Sequence, residues 1–225
     1  MPSLRIIGNL AASSKKIVER LQNENVIKAV VDLLEVSTGN DVKMELLWIL
    51  ENLSNSSVNV INTMISFQKL NMILIEISET AQDYNYRTKI CALNIFYNYA
   101  KNGNIFTIKK VIECEIFEFI CKELDFGENS NKKHGKFLVL CLGVLNKIIS
   151  LSFRENHNDK QLQITIFNII YKYNLKEKFE ILIIDSQYFK SFIDEQSKIK
   201  DLVQMALNRI KSFVSNEAEN ENDIF

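Results

Sequence analysis

Residues 43–54 read KMELLWILENLS, and they decide the fold. With no Gly or Pro to interrupt it, the stretch is predicted to be a helix. At about 100° per residue, Val42, Leu46, Ile49, Leu50 and Leu53 share one apolar arc. Trp48, the only tryptophan in the chain, falls outside that arc. Glu45 and Asn52 lie beside it on the polar side, at positions three back and four on that share one helix face. A lone Trp on the polar side of an amphipathic helix either presents its ring to a ligand or packs against a neighbouring helix.

Outward from this helix, its pattern recurs. Residues 4–13 (LRIIGNLAAS), 46–57 (LLWILENLSNSS) and 91–103 (CALNIFYNYAKNG) each carry an apolar helix ending in Asn and small or polar residues. The asparagines are Asn9, Asn52 and Asn98, 43 and 46 residues apart. Those spacings match the ~40–47 residues of armadillo or HEAT units. A fourth copy, LCLGVLNKIISLS (140–152), puts Lys147 at the equivalent place.

Two shorter apolar segments separate the long helices each time: KKIVERLQNE with VIKAVVDLLEV, VNVINTMISF with LNMILIEISET, and FTIKKVIECE with IFEFICKELDF. Polar loops, STGND, QDYNY and GENSNKKHG, precede the third helix, and Gly39 with its Asn and Asp neighbours suits a turn. A three-helix unit cannot bury its apolar face alone, so the units are expected to stack. The expectation is an all-α, armadillo-repeat, right-handed superhelical solenoid over residues 1–214, as one continuous body. It has a partial first repeat (3–13), repeats at about 14–57, 58–103 and 104–153, and a divergent last repeat (160–214). In that last repeat DSQYFKSFIDEQS is an extra segment, and residues 215–225 read as a solvated acidic tail.

Composition bounds the function. Twenty-seven basic and 28 acidic residues leave a net charge of −1, so no global positive field gathers nucleic acid. The local basic cluster is Lys132, Lys133, His134 and Lys136, in a loop that reads as solvated surface. The four cysteines, Cys91, Cys114, Cys121 and Cys141, form no CxxC pair and sit in apolar runs, as buried thiols in a reducing compartment do. No run of about 18 apolar residues reads as a membrane span. Gly8 and Asn9 interrupt the opening stretch where a signal peptide needs an apolar core. His134 and His157 lie in polar loops without a Cys or Ser partner, and no phosphate-cradling Gly motif occurs. A binding module without cofactor or metal is therefore expected rather than an enzyme.

The order LRxxGN, ExxWxxxN, LNxxxN, then an acidic tail resembles the C-terminal half of importin-α, the armadillo adaptor for nuclear localisation signals. The stretches LRIIGNLAAS and ELLWILENLSNSS carry the resemblance most specifically. It implies that third helices line a groove where Asn amides hold the backbone of an extended cargo peptide and Trp rings stack on its Lys and Arg stems. Trp48, Asn52 and Glu45 would then be minor-site groove residues, flanked by Arg5 and Asn9 on one side and by Asn94 and Asn98 on the other.

A Trp face attracts a cation by ~0.5–2 kcal/mol, and the carboxylate three residues back adds charge for a Lys. The family's next Trp stands here as Asn94 and its acid as Cys91, while Tyr97, one residue from Asn98, is turned ~100° away from it. The family's glycines between first and second helices are replaced near Asn25, Lys69 and Cys114; Asn is the one that tolerates a left-handed conformation well. The resemblance further implies residence in cytoplasm and nucleus, basic cargo peptides, and a nuclear export receptor at the C-terminal repeats. Importin-β is not expected as a partner, because the family's Arg-rich segment and earlier repeats are not among these residues. The competing expectation is an armadillo scaffold for another extended peptide or protein.

Overall fold

A small polar residue precedes the first helix of each repeat, and in two of the four its side chain caps a free backbone N–H. The computed structural model describes residues 2–80, 86–124, 135–153, 159–184 and 196–222, and every regular element among them is a helix. Helix α1 (Pro2–Ala11) precedes four sets of three: α2 (Lys15–Asn23), α3 (Val26–Val36) and α4 (Asn40–Ser54); α5 (Val58–Ser66), α6 (Gln68–Thr80) and α7 (Tyr86–Asn102); α8 (Ile105–Glu113), α9 (Ile116–Glu123) and α10 (Gly135–Ser152); α11 (Lys160–Lys172), α12 (Leu175–Ile184) and α13 (Gln196–Asn222). The first helix of each set is N-capped by Ser14, Ser57, Asn104 or Asp159. These are the residue types whose side-chain oxygen can accept from the first turn. Asn104 closes a reciprocal box with Thr107, both bonds at 3.1 Å, and Asp159 accepts from the Leu162 N–H at 3.0 Å.

The joint between first and second helices is sharp. Asn25, Glu115 and Asn174 sit there with φ of 57°, 60° and 50°. Asn25 matches the sequence expectation, whereas the third repeat uses Glu115 rather than Cys114. In the second repeat Lys69 already lies inside α6, and the turn is made at Phe67 with φ −80° and ψ 86°. Asn174 places the last repeat's joint in the same conformation as the others.

The chain divides into two compact units, Met1–Phe117 and Glu118–Phe225. In the first, the third helices α1, α4 and α7 pack side by side, with α3 and α6 behind them. Helix α3 buries Ile27, Val30, Val31 and Leu34, a stripe at helical spacing. Helix α4 is buried almost all round: Leu46, Ile49, Leu50 and Leu53 of the anticipated arc, and Leu47 outside it, have no solvent exposure.

In the second unit α10 packs on α13. Helix α10 is long and apolar enough to cross a bilayer, which the sequence reading passed over. Two-thirds of it is buried inside the protein, so its apolar surface serves the core. Lys147 is exposed there. The neighbouring Asn146 makes the inter-helix contacts instead, donating to the Leu202 carbonyl of α13 at 2.9 Å and accepting from Arg209 at 2.7 Å. Helix α13 runs through Asn222, so the first residues of the expected acidic tail are helical in backbone. The extra segment (185–197) lies outside the described residues up to 195, and its last two residues, Gln196 and Ser197, begin α13. Residues 81–85 and 154–158 and most of the basic cluster also lie outside them, and Lys136 is exposed at the start of α10.

Candidate peptide groove on the first unit

Helix α4 turns two polar edges towards its neighbours. Glu45, Trp48 and Asn52 recur at three- and four-residue steps and face α1; Glu51, Ser54 and Asn55 face α7. Trp48 is half-buried, and its ring lies directly on the backbone of Gly8. A Cβ on Gly8 would overlap the ring carbons Cζ3 and Cε3. Of the two readings of Trp48, packing against a neighbouring third helix is therefore met, while the ring also lines an open groove. That groove holds about 320 Å³ and is walled by Arg5, Asn9, Met44, Glu45, Trp48 and Arg87.

The asparagines form a ladder across the repeats. Asn52 donates to the Gly8 carbonyl at 3.2 Å, and Asn98 donates to the Glu51 carbonyl at 3.4 Å. Gly8 and Glu51 are equivalent, each standing immediately before the Asn of the preceding third helix. Asn98 also donates to the Ser54 hydroxyl at 2.9 Å and is only 8% exposed. Asn94 donates to the Glu51 carboxylate at 2.9 Å.

The amides of Asn52, Asn94 and Asn98, expected to face a ligand, each donate to the preceding third helix; Asn98 is buried and must find its partners within the protein, while Asn52 and Asn94 are half-buried. Asn9 heads the ladder, is exposed and lines the groove, which makes it the amide best placed for an incoming backbone. Glu45 is engaged too: the Arg5 Nε–H donates to its Oε1 at 2.8 Å.

Met44 and Arg87 were missed by the sequence reading. Both had a signal: Met44 is four residues before Trp48, and Arg87 stands one helical repeat below Cys91, Asn94 and Asn98 on α7. With Arg5 and Arg87 against Glu45, the wall of the groove carries more positive than negative charge. Among the described residues no group of three or more His, Cys, Asp or Glu could hold a metal ion.

Three-helix repeats whose third helices pack side by side, as α1, α4 and α7 do, define an armadillo-type repeat protein. Solved structures agree. A designed armadillo repeat protein matches with a TM-score of 0.67 and 18% identity over 92% of this chain and 74% of its own. Another, solved in complex with a (KR)4 peptide, matches at 0.62 and 16% over 93% and 92%. A third, computationally designed for modular peptide recognition, matches at 0.58 and 15% over 92% of each chain. Identities this low carry the fold alone. No protein-family model and no curated protein matches the chain.

Proposed function

We propose that the chain is a peptide-binding armadillo protein whose groove at α1, α4 and α7 takes an extended Lys/Arg-rich segment, as a nuclear-import adaptor does. The observation that carries this reading is the placement of the Trp48 ring, the Glu45 carboxylate and the exposed Asn9 amide on the wall of one groove. A lysine or arginine stem lies over the ring and its charge meets Glu45, while Asn9 takes the peptide backbone. That a designed armadillo protein has been solved with a (KR)4 peptide supports the chemistry without transferring it. In a cell this reading implies shuttling of basic cargo between cytoplasm and nucleus, with an export receptor as a further partner.

Affinity is expected to be micromolar or weaker. One ring and one acid contribute about 1 kcal/mol each, and Arg5 and Arg87 oppose a basic ligand. The test is titration with an alternating Lys-Arg octapeptide, followed by Trp48 fluorescence and by calorimetry on wild type and Trp48→Ala. Binding that weakens with added salt and is lost in Trp48→Ala supports the reading. The presence of Arg87 in the groove favours a second one, an extended peptide with an acidic side chain. A Glu-rich octapeptide that outcompetes the basic one would replace the first reading by the second.

A further inference from the structure

The Glu45 carboxylate that a basic peptide would need is already held by a guanidinium from the same chain. We infer that Arg5 is a resident occupant of the Glu45 subsite, so that a basic ligand binds by displacing Arg5 rather than by entering an open site. This rests on the peptide-binding reading above and reverses the role expected for Arg5, from ligand contact to competitor.

Two observations and a general magnitude carry it. Arg5 and Glu45 come from different helices, 40 residues apart, yet meet at 2.8 Å on the wall of the groove that Trp48 lines. The Arg5 side chain is 69% exposed while that of Glu45 is 17% exposed, so the cation can swing into water and the acid stays behind. The Arg5 side of the pair is open to water, and ion pairs open to water contribute only ~0.2–1 kcal/mol, weak enough to exchange. An arriving arginine offers the same planar fork, and the displaced Arg5 loses little by being hydrated.

The consequence is a sign that a simple contact cannot give. Replacing Arg5 by Gln leaves Glu45 unpaired and should tighten binding of the Lys-Arg octapeptide by about two- to five-fold, the factor equivalent to one exposed pair. Loss of a positive charge near the groove would also help a cation, so the gain must be separated from plain repulsion. In the Glu45→Gln background there is no acid to release, and Arg5→Gln should then gain no more than the Arg87→Gln control, which removes a charge without freeing Glu45.

The four proteins of this cycle, with the Arg87→Gln control, are compared by calorimetry after circular dichroism confirms that each is folded. Tighter binding in Arg5→Gln that disappears with Glu45→Gln supports the inference. Unchanged or weaker binding, or an equal gain in both backgrounds, overturns it while leaving the peptide-binding reading intact if wild type still binds. If neither wild type nor Arg5→Gln binds the octapeptide, both readings fall together.

Discussion

Gly8 matters because of what lies on it. Replacing a helical glycine by alanine ordinarily stabilises a helix by about 1 kcal/mol. Here the added methyl would overlap the Trp48 ring, and overfilling a packed contact costs ~1–3 kcal/mol. Either α1 lifts from α4 or the ring rotates into the groove, and both expose the indole. Gly8→Ala is therefore expected to lower the melting temperature and to shift Trp48 emission to the red. A higher melting temperature with unchanged emission would show that the ring does not rest on α1. The sequence made Trp48 conspicuous, because a lone Trp on a polar face breaks the amphipathic pattern. It could not identify Gly8 as the partner, since that pairing spans 40 residues and depends on how two helices approach. The same holds for Asn98: its place in the repeat was readable, whereas its burial against Ser54 is a property of α7 lying on α4.

Repeat boundaries and helix types were legible because apolar periodicity, capping residues and a recurring Asn all point the same way. Joints were less so, because the residue that turns left-handed is fixed by where the first helix happens to stop. A reading of residue type favours Asn, as at Asn25, and passes over Glu115. An L-residue with a Cβ pays ~1–2 kcal/mol in this conformation, with Asn the tolerated exception and Gly free of the penalty. Glu115 is exposed and its side chain is not part of the core. Glu115→Gly is accordingly expected to stabilise the protein by about 1 kcal/mol, and Asn25→Gly by clearly less. Thermal or urea unfolding of the two variants measures the difference. Equal effects at both joints would mean that the left-handed turn at Glu115 is not strained in the folded protein.

Stability in a stacked array is a sum over neighbours, so within the first unit it should be graded. Helix α4 packs against α1, α3, α5 and α7, and five of its apolar side chains are wholly buried. Helix α1 has ten residues, buries only Gly8 and Ala11, and leaves Ile6 60% and Leu10 39% exposed. A helix that short is marginal without tertiary support, and α1 takes most of its support from α4. Its amides should therefore exchange with solvent through local opening, well ahead of those in α4, which should approach the global limit. The groove adds a functional consequence, because Asn9 stands on this weakly held helix while Glu45 and Trp48 stand on the firmly held one. A peptide that bridges them binds only the closed form, and at a hundred times its dissociation constant adds ~2.7 kcal/mol to the closing of α1. Hydrogen exchange with and without the Lys-Arg octapeptide should thus show slowing concentrated in residues 4–11 and little change in residues 46–53. Equal protection of the two helices in the free protein would contradict the grading. Slowing that spared α1 would place the peptide somewhere other than this groove.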